Sequence, residues 1–180
     1  MQELPYPEKL GLAGLPVMLQ KPLEEDLLFI RELWSDPPTM APVGGPWVMD
    51  EETARSWYQR MIEPGSDHDR YFLIQNSASR ESIGEVSLHR WQHSRGLAEL
   101  NIKVMDRFRR RGYASPALAL ILQFFFADCS GILLRDDVAT GNDGADALLQ
   151  RSGFQQTKSP PDCRRWELTR KQWLSVKKAD

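Results

Sequence analysis

The chain has 180 residues, 41% of them hydrophobic and 27% charged, with 23 basic against 25 acidic side chains and a formal charge of −2. That balance describes one ordinary globular domain, large enough to bury roughly 70% of its unfolded surface without a disulfide or a metal. It excludes a disordered segment and a general nucleic-acid binder, which is basic over its whole domain.

Residues 1–14 read as an irregular N-terminal segment whose early acids and prolines leave no room for the apolar run of a signal peptide. Leu15–Leu23 follows as a strand closing into a turn at Pro22. "EEDLLFIRELWSD" carries Leu27, Leu28, Ile30 and Leu33 at helical spacing, with acids in the first turn where the helix dipole favours them. The next 15 residues, Ser35–Met49, hold four prolines and two glycines. A loop of that length in a compact domain is usually either functional or disordered. Met40 and Trp47 are its candidates for lining a substrate site, against the alternative that they plug the first helices. Asp50 is placed to cap a helix over "EETARSWYQRMI".

From residue 70 the period changes to two. "YFLIQN", "SIGEVSLHRW" and "LAELNIKVM" read as three consecutive strands joined by polar turns. A long apolar helix is expected from about Gly112 to Asp128. A strand over "GILLRDDV", a helix over "NDGADALLQRSG" stopping at Gly153, and strands over "FQQTK" and "RRWELTR" follow it. This order describes an α/β (α+β) domain, a mixed sheet flanked by helices, over residues 15–172, with a solvated tail at 173–180. Cys129 and Cys163 are too few and too far apart for a disulfide framework, and the three histidines have no cysteine partners at ligand spacing, so no metal is expected. The longest apolar stretch is too short to span a bilayer. A cytoplasmic location follows as the expectation.

The densest positive charge, four arginines between Arg107 and Arg111, gives way abruptly to Gly112 and Ala114 at the start of the long helix. A helix start leaves backbone N–H groups without partners and carries partial positive charge, so it can hold a pyrophosphate if the backbone lets it approach. Gly112 permits a tight or left-handed turn, and Pro116 sits where a missing N–H costs nothing. Arg109, Arg110 and Arg111 add charge-assisted donors.

"RRRGYA" (Arg109–Ala114), set between a strand ending "NIKV" and a long helix, resembles the Gln/Arg-x-x-Gly-x-Gly/Ala signature of the GNAT family of N-acetyltransferases. "NDGADALLQRSGF" resembles the family's second conserved stretch, with Asn142 eleven residues before Gly153 and Phe154 following it. The phrase "AELNIKVMD" looks most like the RimJ/RimL-like branch. The resemblance implies a central mixed, mostly antiparallel sheet with a splayed strand pair and about four helices. It also implies acetyl-CoA as donor, without a metal, and an amine acceptor, with no nucleic acid or membrane partner, in a monomer or homodimer. The backbone of Arg109, Arg110, Arg111, Gly112, Tyr113 and Ala114 would cradle the pyrophosphate. Ile102, Lys103 and Val104 would pair with the pantetheine arm, Asn142 would bond it, and Phe154 would pack its far side.

Acetyl transfer needs a neutral amine and a donor to the carbonyl oxygen. A lysine-like amine near pKa ~10.4 costs about 4 kcal/mol to deprotonate at neutral pH, and an α-amine near ~8 costs far less. Glu99 is the candidate general base, since alternation along "LAELNIKVM" puts it on one face with Asn101 and Lys103. The alternative is a strand glutamate paired across the hairpin with Arg90 or His89. Glu85 and His89 are runners-up, and the backbone N–H of Val104 is the candidate oxyanion donor. Where the resembling branch often has a serine to protonate the thiolate, Ala145 stands. Three readings remain open: acetylation of a protein N-terminus or small amine, acetylation of an aminoglycoside or polyamine, and a non-catalytic acyl-CoA sensor.

Overall fold

Alternating apolar residues in the middle of the chain build the centre of one sheet, and everything else packs on its two faces. The computed structural model describes residues 5–177, so the outermost parts of the expected N-terminal segment (1–4) and tail (178–180) lie outside the described residues. The strands are β1 (Lys9–Leu10), β2 (Val17–Gln20), β3 (Arg70–Asn76), β4 (Ser82–Gln92), β5 (Leu97–Val104), β6 (Leu133–Ala139), β7 (Gln155–Gln156) and β8 (Cys163–Thr169). The helices are α1 (Leu27–Ser35), α2 (Pro37–Met40), α3 (Glu51–Met61), α4 (Ala114–Gln123), α5 (Asp143–Arg151) and α6 (Arg170–Val176). The sheet order is β1-β2-β3-β4-β5-β6-β8-β7, antiparallel throughout except for β5 and β6. This is the mixed, mostly antiparallel α/β architecture expected.

Strand periodicity sorts the core into two layers. Phe72, Val86, Leu88, Leu100 and Leu134 face α4 and α5, where Leu118, Ile121 and Leu149 meet them. Tyr71 and Leu73, one residue out of phase, face Leu27, Ile30 and Trp57 of α1 and α3. Asp50 does cap α3, its Oδ1 accepting from the Thr53 N–H at 2.7 Å.

The β5–β6 pair shapes the site. The two strands run parallel through Leu97↔Leu133, Ala98↔Leu134 and Glu99↔Arg135, and pairing stops there. Beyond that point β6 stays paired with β8 as far as Ala139↔Cys163, while β5 stays paired with β4 as far as Val104↔Gly84. Each strand follows its other neighbour, and a wedge opens between them.

Several expected boundaries move. The first strand is shorter than Leu15–Leu23, because Pro22 cannot donate to a ladder, and the N-terminal segment contributes β1 rather than staying wholly irregular. The long loop is partly helical. Asp36 caps the one-turn α2 by accepting from the Thr39 N–H at 3.1 Å, and a 3₁₀ turn follows over Ala41–Val43. Helix α4 begins at Ala114, and its end widens into a π-helical turn over Phe124–Asp128, whose three phenylalanines are buried. The expected solvated tail instead forms α6. Trp173 is buried there and stacks on Phe126 with ring centroids 5.4 Å apart, which orders a segment that is otherwise polar.

Gly84 on β4 marks the closest approach of the sheet's centre, since a Cβ there would lie 2.2 Å from the Lys103 carbonyl oxygen. Gly84→Ala is therefore expected to lower unfolding stability by about 1–3 kcal/mol through backbone displacement. Urea denaturation measures it; an unchanged midpoint would contradict the packing.

Candidate active site

The turn into α4 has the backbone the sequence demanded. Gly112 has φ +82°, and a Cβ built on it would meet no atom within 4 Å, so the approach to the helix start is open. Arg110 also lies in the left-handed region at φ 58°, a conformation non-glycine residues adopt at a cost. Tyr113 occupies the N-cap position and provides no side-chain cap. The first-turn N–H groups of this helix are thus offered outward, with Arg110 and Arg111 exposed beside them. Tyr113 itself turns its hydroxyl to accept from Asn76 Nδ2 at 3.3 Å.

Arg109 does not join them. Its Nε donates to the Val104 carbonyl at 3.1 Å, its Nη2 to the Thr39 carbonyl at 2.7 Å, and its Nη1 to the Pro38 carbonyl at 3.2 Å and to Asp106 at 3.3 Å. The guanidinium expected beside a phosphate instead ties α2 to the end of β5. Three backbone carbonyls hold a fixed, planar set of donors better than a lysine would satisfy them.

The wedge between β5 and β6 encloses a cavity of about 70 Å³. Asn101 and Ile102 line it from β5, Asp136 and Val138 from β6, and Asn142 and Ala145 from the start of α5. Backbone groups face it too. The Met105 N–H bonds to the Ile83 carbonyl at 2.9 Å. In an antiparallel ladder the neighbouring Gly84↔Val104 pair is then of the non-hydrogen-bonded kind, so the polar groups of Val104 and Ile102 point away from β4. Lys103 differs: in the alternating ladder its N–H and C=O point to β4, away from the wedge in which an arm was expected to pair with it, and its side chain goes to Glu85. The Asn142 side chain accepts from the Ala145 N–H at 3.3 Å and caps α5. Phe154 is buried in the core below it.

The other face of the sheet carries the acids found by alternation. Glu85 is fully buried and collects four donors: Trp34 Nε1 at 2.7 Å, Lys103 Nζ at 2.5 Å, Asn101 Nδ2 at 3.3 Å, and the Tyr71 hydroxyl. Burial alone would raise its pKa, but the Lys103 charge and these bonds outweigh it and hold the carboxyl below its usual range. Tyr71, buried against that carboxylate, is pushed well up and stays protonated. Glu85 therefore anchors a network rather than exchanging protons. Glu99 is half-buried and bonds to the exposed Arg90 at 2.9 Å, directly opposite His89. His89 Nε2 lies 2.7 Å from Ser87 Oγ and its Nδ1 lies 3.1 Å from Asp69 Oδ1. Ser87 is wholly buried, so this chain orients the imidazole and exposes no nucleophile. Burial works to raise the Asp69 pKa, yet His89 and Ser66 bring it down to about 2.

From the long loop, Met40 is buried and packs as a plug, whereas Trp47 is 41% exposed and leans on Trp34 with centroids 5.2 Å apart. Sequence reasoning missed Asp136. The available signal was a carboxylate on the core-facing side of "LLRDDV", alternating with Leu134 and Val138. Among the described residues no cluster of metal-ligating side chains forms, and no helix is long and apolar enough to cross a membrane.

A family profile described as an acetyltransferase (GNAT) domain matches residues 17–155. No curated protein sequence matches the chain. Solved structures of the same fold include a spermidine N-acetyltransferase from Vibrio cholerae in complex with CoA and spermine, 20% identical, with TM-score 0.79 over 88% of this chain and 98% of that one. An acetyltransferase (GNAT family) from Bacillus anthracis is 15% identical, with TM-score 0.76 over 91% and 99%. A putative ribosomal-protein-serine acetyltransferase from Vibrio cholerae is 16% identical, with TM-score 0.72 over 89% and 97%.

The Glu85–Lys103 pair generates a stability prediction. Lys103→Met strands a buried carboxylate and is expected to cost about 3–5 kcal/mol at neutral pH. A carboxylate whose folded pKa is depressed contributes stability above its unfolded pKa and loses it as pH falls. The difference between wild type and Lys103→Met should therefore shrink on acidification, which chemical denaturation at pH 7 and pH 4 measures.

Proposed function

The chain belongs to the GNAT acetyltransferase family, and on that premise we propose that it transfers acetyl from acetyl-CoA to a primary amine through the wedge between β5 and β6. One observation carries the reading: an uncapped helix start with an open glycine turn lies beside a strand pair that stops pairing after three rungs, leaving the Ile102 backbone and the Val104 N–H facing the gap. A pyrophosphate suits the first, with N–H groups from Arg110 to Ala114 and the charges of Arg110 and Arg111 around it. An amide-bearing arm suits the second, with Ile102 and Val104 offering ladder groups, Asn142 at the far wall and Phe154 beneath. Acetyl-CoA supplies an activated acyl carbon on a thioester.

The chain's own residues then have three tasks. The Ile102 N–H, which faces the cavity near its apex, is a preorganised donor for the acyl oxygen, fixed by the sheet before any substrate arrives; Val104, expected in that role, stands two residues farther out and offers its N–H to the arm instead. Glu99 is the base for the acceptor's ammonium, being the one acid of the β5 face with solvent access and a partner, Arg90, that is itself exposed. Glu85 and Lys103 hold Trp34 and Tyr71, and with them the floor under the α1–α3 layer. Trp47 lines the approach on that side.

For the acceptor, a small polyamine-type cation is favoured over a protein N-terminus by the exposed acids Asp50, Glu51 and Glu52 at the start of α3, on the α1–α3 side. The fold shared with a spermidine N-acetyltransferase is in keeping with that choice. The RimJ/RimL-like phrase "AELNIKVMD" supports the protein N-terminus as the second reading.

Thermal unfolding with and without acetyl-CoA tests the core of this. Ligand at a hundred times its Kd adds about 2.7 kcal/mol, several degrees for a domain this size. The shift is expected in wild type and lost in folded Gly112→Trp, whose side chain fills the open turn. No shift at saturating acetyl-CoA would overturn the proposal. Turnover with spermine against a peptide bearing a free N-terminus then separates the acceptor readings, and no turnover with either would leave a CoA-binding sensor.

A further inference from the structure

We infer that Asp136 is the acid that hands a proton to the departing sulfur of the acyl donor, an assignment that rests on the acetyl-CoA reading above. The first argument is position. Pairing between β5 and β6 ends at Glu99↔Arg135, so Asp136 is the first residue past the last rung and stands at the apex of the wedge. The second is face. Asp136 alternates with Leu134 and Val138, both buried in the layer containing α4 and α5. That is the side on which the open α4 start receives the donor's phosphates, so the sulfur reaches the apex from there, while the acceptor amine comes from the α1–α3 side.

The third argument is elimination. Among the described residues lining the cavity there is no hydroxyl, imidazole or thiol. Ala145 stands where a serine was expected. Asn101 and Asn142 carry amides, which do not release a proton at neutral pH. Asp137 is held by Arg165 through two bonds of 2.7 Å, which lower its pKa and keep it ionised. Asp136 has no such cation. Trp166 lies opposite it on β8, but its indole N–H is committed to Asp146 at 2.7 Å.

The groups around Asp136 act mostly in one direction. Burial comes first, then the negative charge of Asp137 beside it; Lys103 on β5 opposes them, and Asp146 on α5 and Glu99 on β5 add to them. The carboxyl is raised to about 7, so a proton is available near neutrality and its loss is not prohibitive.

In the step itself the amine lone pair forms the C–N bond, and the C–S bond breaks with its electron pair on sulfur. The Asp136 carboxyl proton passes to that sulfur. Glu99 takes the first proton from the ammonium, solvent takes the second and recovers the one on Glu99, and solvent reprotonates the Asp136 carboxylate. The sum is one amide and one thiol from one thioester and one ammonium, with a single proton released.

The test uses the full chain with CoA itself and follows the thiolate's ultraviolet absorbance as pH rises. A free thiol titrates near ~8.5. Against an ionised Asp136 the bound thiol is expected to titrate about one unit higher, and Asp136→Asn is expected to bring it back toward the free value with CoA affinity little changed. With spermine as acceptor, kcat in that variant should fall by about 10²-fold. A wild-type bound thiol titrating at or below the free value overturns the assignment, and this needs no variant to fold. An identical shift in folded Asp136→Asn overturns it as well. Failure of wild type to bind CoA would remove the acetyl-CoA reading and this assignment together, whereas CoA bound with an unshifted thiol removes Asp136 alone.

Discussion

Strands β5 and β6 share three rungs and then part, and the rest of the molecule is arranged around that divergence. A parallel pair is normally the buried, fully bonded centre of a sheet. Here β4 holds one strand and β8 the other, each over a long antiparallel register, so neither can bend to close the gap. The backbone groups of Ile102 and the N–H of Val104 are left facing a wedge instead of a neighbouring strand, while the Val104 carbonyl is taken by Arg109. Unpaired groups of that kind are costly when buried, and the extended, amide-rich arm of the proposed donor would repeat the missing strand's bonding.

The two faces of the sheet divide the work. On the α4/α5 side, the glycine turn and uncapped helix start offer donors to an anion. On the α1–α3 side, Glu85 gathers Trp34, Tyr71, Asn101 and Lys103 around one buried carboxylate. A buried ion pair adds little net stability over a well-packed apolar replacement, yet breaking it is expensive. Its consequence is registration: α1 is locked to β3, β4 and β5 through a single group, and Trp34 carries Trp47 and Trp57 with it. Arg109 does similar service at the wedge's rim, binding the carbonyls of α2 to that of Val104.

Much of this was legible in the residues. Period-two alternation located β3, β4 and β5 and the faces of Glu85, His89 and Glu99, because one side of each strand must be apolar to be covered. The switch from arginines to Gly112 marked a left-handed turn before a helix, and the structure has it. Local signals failed where a distant partner decided the outcome. Nothing near Arg109 in sequence distinguishes it from Arg110, yet the carbonyls of Pro38 and Thr39 claim it. The tail "KQWLSV" is polar enough to stay in water until Phe126 supplies a surface for Trp173. The proline-rich loop was read as irregular, and Asp36 turns part of it into α2.

By itself the sequence determined the order of the main strands and helices, the two core faces, the family resemblance and the glycine turn before α4, since each rests on neighbours within a few residues. Only the tertiary structure decided which charges are spent and which remain usable. Glu85 meets Lys103 and three other donors, while Asp136 feels Lys103 only at a distance, against burial and the charge of Asp137. The reason is physical: a carboxylate's proton affinity depends on burial and on charges brought close by folding, and strands β5 and β6, which set those distances, are separated by the 28 residues 105–132.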